Sequence, residues 1–382
     1  MTPTASPSQA QFFRLYALSA LILMMLMLAL SARLQAQDIP HYDAFFIAPS
    51  EGQLDQVWGL TLADLRTDLI THDPWGVANY AVSPDQTQIA YVNSGSLWLQ
   101  PMGGTPEKLT SIEEDPTRVS LVFSPDGRSL VYGNKGVSMM ALDTGTSETL
   151  LTDVLYEETN DPAQIWDYSP VRFLDADRLL VQIGLWEGRS AAIYDLPSRT
   201  LLQTQDLYNA LRITPLADGR YLYYTDTEVG LGIEGFLIGT PSIDPQLPFE
   251  LLPLLVDKFA ANQLMSASIA DVVELEPGRI RFTGTGFPAD TQGFVFFLGE
   301  YDFTEELFML DVSDDTSAIL GSTAYFDMFS PDGQYIAGYA NVTANGQQVR
   351  GFLTIANLET MNLLALDLPS PTSIMHFQWA NE

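Results

Sequence analysis

The stretch VSLVFSPDGRSLVY, residues 119–132, decides the fold of this chain. An apolar run leads into Ser124-Pro125-Asp126-Gly127, and a second apolar run follows. Proline presets the backbone for the first central position of a type I turn, and aspartate tolerates the next position. Glycine accepts the left-handed conformation that closes the turn. The stretch therefore predicts two antiparallel strands joined by a tight, bulged turn.

The same turn recurs along the chain. Ser330-Pro331-Asp332-Gly333 is a second full copy, and Ser83-Pro84-Asp85-Gln86 is a degenerate one. Three looser copies are Leu174–Arg178, Leu216–Arg220 and Leu275–Arg279. Aligned on Gln86, Gly127, Asp177, Gly219, Gly278 and Gly333, successive copies are about 41 to 59 residues apart, a spacing typical of propeller blades. A left-handed Gln86 would cost roughly 1 to 2 kcal/mol.

Recurrence assigns these residues a structural role. A turn-forming residue is needed once in every repeat, whereas an active site is needed once in a protein. We therefore interpret the following as structural turn residues: Pro84, Asp85, Pro125, Asp126, Gly127, Asp218, Gly219, Pro277, Gly278, Pro331, Asp332 and Gly333.

A second series of apolar runs alternates with the turns and predicts the third strand of each four-stranded unit. Its members are Val57–Leu62, Ser96–Leu99, Val137–Leu142, Ala191–Leu196, Gly235–Ile238, Leu307–Val312 and Phe352–Leu358. There are thus seven third strands against six turns. Ile374–Trp379 is typical of a strand that leads into a turn, and Asp43–Ile47 of a strand that follows one.

These patterns predict an all-β fold, a closed β-propeller of four-stranded antiparallel blades over residues 37–382. The ring would close by pairing the C-terminal strand with three N-terminal strands, which removes exposed sheet edges. Seven blades are favoured. Six remain open because Thr225–Ala270 is irregular, and its part from Thr240 to Ala270 could cover one mouth of the ring or dock a partner.

The phrase Phe123–Tyr132 resembles the WD40-like repeat of TolB-type β-propellers, which also occurs in prolyl-oligopeptidase-like peptidases. The resemblance covers most of residues 43–380 and implies the propeller fold while saying little about activity. TolB proteins carry a further N-terminal domain, and the peptidases carry a hydrolase domain. We expect neither here, so the resemblance implies a propeller alone.

Composition restricts the partners. Asp and Glu total 48 against 17 Lys and Arg, which gives a net charge of −31. Such a surface repels phosphates, so a nucleic-acid partner is excluded. The acids are scattered along the chain, as on a solvated surface, and they favour cationic or neutral partners.

Residues 1–36 are predicted to direct export. The apolar run 15–32 lies between Arg14 and Arg33 and is just long enough to span a membrane as a helix. It fits a cleaved signal peptide or a retained signal anchor. Both place the propeller outside the cytoplasm, in the periplasm or at the cell surface, with the retained anchor slightly favoured.

Candidates for chemistry are sparse, and no cofactor is predicted. The chain has no cysteine, which excludes disulfides and thiolate sites, and it has three histidines. His41 and His376 could meet at the ring closure, but two histidines make an incomplete metal site. Structural calcium could bind clustered acids, although none forms the known calcium loop. The candidate clusters are Asp175 with Asp177, Asp311 with Asp314 and Asp315, and Asp226 with Glu228.

The least repetitive loop, Tyr156–Tyr168, is the candidate partner-binding surface. It interleaves acids with aromatic residues, and binding residues concentrate on loops that a rigid scaffold positions. Its candidate contacts are Tyr156, Glu158, Trp166 and Tyr168; alternatively, Trp166 and Tyr168 pack between blades. Trp75 and Trp186 are weaker candidates of the same kind.

Two functions follow from these features. The favoured one is a non-enzymatic binding or scaffold module for an envelope protein or polymer, tethered to the membrane only by its N-terminal helix. The alternative is a carbohydrate-active propeller enzyme with paired carboxylates, which must lie roughly 5 to 10 Å apart.

Overall fold

A computed structural model of the chain describes residues 41–50, 52, 54–155, 166–185, 188–202, 212–224, 236–239, 252–289, 293–322, 328–344, 347–364 and 374–380. Its strands form seven four-stranded antiparallel sheets. The prediction of seven blades is therefore confirmed over six.

The blades are numbered in chain order. Blade 1 contains β28 (Met375–Trp379), β1 (Ala44–Pro49), β2 (Asp55–Thr61) and β3 (Arg66–Leu69). Blade 2 contains β4 (Asn79–Val82), β5 (Gln88–Asn93), β6 (Ser96–Pro101) and β7 (Glu107–Ser111). Blade 3 contains β8 (Leu121–Phe123), β9 (Ser129–Gly133), β10 (Gly136–Ala141) and β11 (Thr146–Thr152). Blade 4 contains β12 (Asp167–Phe173), β13 (Arg178–Leu185), β14 (Gly188–Asp195) and β15 (Thr200–Leu202).

Blade 5 contains β16 (Arg212–Pro215), β17 (Tyr221–Tyr224), β18 (Phe236–Gly239) and β19 (Leu252–Leu254). Blade 6 contains β20 (Leu264–Glu276), β21 (Arg279–Pro288), β22 (Val295–Asp302) and β23 (Leu307–Asp311). Blade 7 contains β24 (Met328–Phe329), β25 (Tyr335–Ala344), β26 (Gln347–Asn357) and β27 (Asn362–Leu364). The helices are α1 (Val256–Ala261), α2 (Asp314–Ser322) and a 3-10 turn, Pro116–Arg118.

Apolar residues hold the blades together because the central strands of a blade are buried on both faces. In β1, Phe46 packs towards blade 7 with Ile355. Phe45, one residue earlier, packs towards blade 2 with Ile89 and Tyr91. Each of the seven apolar clusters lies in this way between two neighbouring blades. The core is therefore a ring of seven interfaces.

The ring closes as predicted. β28 pairs antiparallel with β1, with Trp379 opposite Ala44. The indole of Trp379 is buried and donates a hydrogen bond to the carbonyl of Met328 in blade 7, at 2.9 Å. On the other side, the Tyr80 hydroxyl of blade 2 donates to the carbonyl of His376. The C-terminal strand thus joins three blades.

Strand direction divides the propeller into two faces. The first strands of neighbouring blades contact one another, as β8 contacts β4 and β12, so they are innermost. Turns between first and second strands, and between third and fourth strands, lie on one face, which we call the turn face. Turns between second and third strands, and the loops that lead into the next blade, lie on the opposite loop face.

The recurring turns share one set of hydrogen bonds. The Ser124 hydroxyl donates to Asp126 Oδ1 at 2.7 Å, and the Gly127 amide donates to the Ser124 carbonyl. Ser330, Asp332 and Gly333 repeat this arrangement. Gly333 has a φ of +67°, and a Cβ there would lie 2.4 Å from Leu275 Cδ2, so both conformation and space require glycine.

Two strand and turn assignments from the sequence are wrong. Leu307–Val312 contributes β23, a fourth strand, because β22 takes the third position. Asp177 does not close its turn in a left-handed conformation; it donates its amide to Asp175 Oδ1, while the Leu174 amide donates to the Arg178 carbonyl. The described part of the 240–270 segment contains β19, α1 and the start of β20. Residues 240–251 lie outside the described residues, so the possible role of this segment in covering the ring or docking a partner stays a prediction.

No helix among the residues that the structure describes is long and apolar enough to cross a membrane. The predicted export segment, 15–32, lies outside them, so its role stays a prediction.

Gln86 explains why the first turn copy lacks glycine. It adopts a left-handed φ of +55° and is 2% exposed. Its Oε1 accepts the Tyr42 amide at 3.0 Å, and its Nε2 donates to the Tyr42 carbonyl at 3.1 Å. The side chain therefore connects the turn of blade 2 to the residue that precedes β1.

We expect Gln86→Gly to destabilise the protein. The change relieves roughly 1 to 2 kcal/mol of left-handed strain, but it leaves the buried amide and carbonyl of Tyr42 without partners, at about 1–3 kcal/mol each. The net loss should be about 2–3 kcal/mol, measured as the free energy of unfolding in urea.

Lys135→Gly is the matched control. Lys135 has the same φ of +55°, but its side chain is exposed and pairs with Glu113 at the surface. Its replacement relieves the same left-handed strain and loses only an exposed ion pair, so it should stabilise the protein by about 1 kcal/mol. If Gln86→Gly stabilised the protein as much as Lys135→Gly does, the hydrogen bonds to Tyr42 would contribute nothing.

Candidate functional site on the loop face

The predicted partner-binding loop is described only at its end. Tyr156 and Glu158 lie outside the described residues, as does Trp186. Trp166 is half-buried and forms a backbone bridge with Val154. Tyr168 is 8% exposed and packs in the apolar cluster between blades 3 and 4, against which Trp166 also packs. Both rings therefore pack between blades, which is the alternative that the sequence left open.

Exposed apolar side chains concentrate on the loop face. Of the twelve large apolar side chains that are exposed among the described residues, eight lie in its loops or at the adjoining strand ends: Leu54, Trp75, Leu155, Met265, Phe287, Phe294, Val312 and Met375. The described turns of the turn face contribute none, and the strand ends beside them contribute Leu307 and Leu363. The two faces therefore differ in chemistry as well as in strand connectivity.

One group of these side chains lies at the end of blade 6. β20 and β21 have 13 and 10 residues, whereas β4 of blade 2 has four, and Phe287 lies at the loop-face end of β21. Its ring centroid is 6.4 Å from that of Phe294, which in turn is 5.4 Å from Phe296. Met265 lies beside this pair in register and is also exposed.

Trp75 forms a second group, held in place by a buried polar network. The loop from blade 1 to blade 2 turns at Asp73, whose Oδ1 accepts the Trp75 amide at 2.8 Å. Gln56 accepts the Asp73 amide through Oε1 and donates to the Asp73 carbonyl through Nε2. The hydroxyls of Thr71 and Tyr91 donate to Gln56 Oε1 and Asp73 Oδ2. The loop backbone is fixed, yet the indole of Trp75 is 75% exposed.

On the inner wall of the ring, the carboxylate of Asp271 is fully engaged. Asp271 Oδ1 accepts the Tyr224 hydroxyl at 3.1 Å and lies 3.4 Å from Arg212 Nη1. Its Oδ2 accepts the Phe329 amide of blade 7 at 2.8 Å. Asp271 thus connects blades 5, 6 and 7, a structural role.

Asp153 is the carboxyl group with the most unusual environment. It follows β11, and its Oδ1 accepts the Tyr168 amide at 2.8 Å. Burial raises its pKa to about 6, the Tyr168 amide opposes this, and the nearby charges of Glu114 and Asp167 add to the rise. Asp153 is therefore a carboxyl group that gains its proton well above the usual pH.

The metal candidates do not form clusters. Asp175 Oδ1 accepts the Asp177 amide within the same turn. Asp311 accepts the Ser313 amide and the Thr316 hydroxyl. Asp226 and Glu228 lie outside the described residues. Within the described ranges, no three His, Asp or Glu side chains could hold a metal ion together.

The ring closure does not bring the two terminal histidines together. The register of β28 on β1 places His376 opposite the irregularity between Phe45 and Ile47. His41 lies about five residues earlier along the chain, or about 16 Å at the usual strand rise.

No family model and no curated protein matches the sequence. Solved structures do match. An oligogalacturonate lyase from Vibrio parahaemolyticus has a TM-score of 0.51 at 13% identity, over 84% of this chain and 83% of its own. A dihydro-heme d1 dehydrogenase, NirN, in complex with DHE, has a TM-score of 0.50 at 12% identity, over 89% of this chain and 75% of its own. TolB from Acinetobacter baumannii has a TM-score of 0.47 at 15% identity, over 90% of this chain and 68% of its own. At these identities the likeness concerns the fold alone.

Asp153→Asn should make stability less dependent on pH. In the parent, the unfolded chain ionises Asp153 near pH 4, whereas the folded chain does so near pH 6. The parent therefore loses stability as the pH rises from 4 to 6. Asparagine still accepts the Tyr168 amide but does not ionise. We expect the variant to be about 1 kcal/mol more stable at pH 7, a value reduced for partial exposure, and equal to the parent below pH 4.

Asp85→Asn should show the opposite sign. Partial burial acts to raise the pKa of Asp85, but hydrogen bonds from Ser83 and Thr87 hold it below the ordinary value. That stabilising effect is present above pH 4 and is lost as the pH falls. Urea unfolding of both variants from pH 3 to 8 checks the pair; parallel curves for Asp153→Asn and the parent would contradict the first expectation.

Proposed function

We propose that this chain is an exported, non-enzymatic binding and scaffold module that takes a protein partner on its loop face. The observation that carries this proposal is the concentration of exposed apolar side chains on that face. Exposed aromatic side chains at fixed positions are typical anchors of protein interfaces. A rigid ring whose exposed apolar side chains, among the described residues, are concentrated on one face suits binding by that face.

Charge narrows the class of partner. The net charge of −31 disfavours anionic partners and raises the rate at which cationic ones associate. Around the apolar groups, the loop face also carries Glu114 and Asp167, which are exposed or half-buried, while Glu113 on the same face is paired with Lys135. The partner that fits best combines apolar side chains with positive charge.

The point where the chain enters the propeller lies away from the proposed binding surface. Tyr42 precedes β1 and bonds to Gln86 in a turn of the turn face. The start of the propeller chain therefore does not occupy the loop face.

Site-specific photo-crosslinking in native membranes tests this proposal. A benzophenone amino acid placed at Leu155 or Phe287 should give one defined protein adduct. The same residue at Thr144 or Thr304, which are exposed on the turn face, should give none. Adducts from the turn face only, or from no position, would contradict the proposal.

A carbohydrate-active enzyme is the second candidate, and Asp153 is the observation that favours it. A carboxyl group with a raised pKa beside other carboxylates has the character of a general acid. Assays of reducing ends and unsaturated products from neutral and acidic polysaccharides, between pH 4 and 8, test it. Activity that is lost in Asp153→Asn would support the enzyme; no activity in the parent would remove this candidate.

A further inference from the structure

Asp55, beside the Trp75 loop, has a carboxylate without a described partner. It begins β2, follows the exposed Leu54 and is half-buried. Its backbone carbonyl accepts the Val77 amide at 2.7 Å. No described residue donates a hydrogen bond to its carboxylate or forms an ion pair with it, and burial raises its pKa.

Asp55 and Trp75 belong to one small area of the loop face. Gly76 separates Trp75 from Val77, and a Cβ on Gly76 would lie 3.3 Å from the Asp55 carbonyl oxygen and 3.8 Å from Leu54 Cβ. The Asp73 and Gln56 hydrogen bonds hold the loop, and β2 holds Asp55. The backbone segments that carry an exposed tryptophan, an exposed leucine and a carboxylate without a described partner thus lie against each other.

We propose that Trp75, Asp55 and Leu54 form a receptor site for one arginine or lysine side chain of the protein partner. The inference rests on the proposed function in one respect, namely that the partner is a protein. The buried network of Asp73 and Gln56 fixes the loop backbone but does not cover Trp75. A side chain that is held in place and remains exposed is positioned to contact a ligand.

The chemistry of the three side chains selects a cation with an apolar stem. A guanidinium or ammonium group over an indole gains cation–π energy. The Asp55 carboxylate, on the strand against which this loop packs, supplies the counter-charge and, for arginine, a bidentate acceptor. Leu54 covers the methylene stem, as occurs when long cationic side chains lie along apolar surface. A neutral apolar side chain would instead leave Asp55 buried without a partner, which is unfavourable.

The test uses the full-length protein in detergent, with tryptophan indoles labelled with nitrogen-15. Trp75→Phe assigns the Trp75 indole signal among the six tryptophans. The probes are a blocked Leu-Arg-Leu peptide and the same peptide with citrulline, which keeps the shape of arginine without its charge. We expect the arginine peptide to shift the Trp75 signal saturably and the citrulline peptide to leave it in place.

Variants separate the site from the general negative charge. Asp55→Asn should weaken the arginine peptide at least fivefold, and Trp75→Ala should weaken it similarly in a calorimetric titration. Asp143→Asn removes the same charge from an exposed turn of the turn face and should leave the affinity unchanged. The circular dichroism of each variant reports that it is folded.

The outcomes distinguish this inference from the proposed function. Equal shifts from both peptides, or equal affinity of Asp55→Asn and the parent, would overturn the receptor site. If loop-face crosslinks form nevertheless, the binding function stands and its contact lies elsewhere, as at Phe287 and Phe294. If neither the crosslinks nor the Trp75 shift appears, both proposals fail.

Discussion

The pairing of β28 with β1 is the constraint on which the rest of the structure depends. Every blade has central strands with two apolar faces, so each needs a neighbour on both sides. A row of such sheets would end in two exposed faces; closing it into a ring converts them into one more interface, where Phe46 and Trp379 pack with Ile355. The closing strand also bonds to blades 2 and 7 through His376 and Trp379. Ring closure therefore completes the core as well as one sheet.

A closed ring makes its two faces unequal. The turns of the turn face repeat because each must reverse the chain within a few residues, and local chemistry such as the Ser124–Asp126 hydrogen bond fixes them. The connections of the loop face, which are the turns between second and third strands and the loops to the next blade, do not share that chemistry, so their length and composition are free to vary. Trp75 and the blade 6 aromatic residues lie in these variable connections. The loop face is therefore the better candidate for binding.

The sequence predicted the features that local chemistry determines. Six turn copies and the strands at both chain ends were enough for seven blades and for the closing pair. The sequence did not predict which aromatic side chains are exposed, because those packed between blades and those in contact with solvent occur in similar loop sequences. Tyr168 is buried, whereas Trp75 is exposed. The Leu307–Val312 error has a similar origin, since third and fourth strands share one apolar pattern and only sheet order separates them.

Two buried glutamines show how the chain stabilises departures from its repeat. Gln86 accepts the amide of Tyr42 and donates to the carbonyl of the same residue; Gln56 does the same to Asp73. A carboxamide carries one acceptor and one donor group side by side, so it replaces the pair of hydrogen bonds that a neighbouring strand would supply. Glutamate in either position would lose the donor and bury a charge. The Gln86 side chain holds the chain just before β1, and the Gln56 side chain holds the loop that carries Trp75. The same pair of hydrogen bonds therefore stabilises the ring closure and the candidate binding site at the junction of blades 1 and 2.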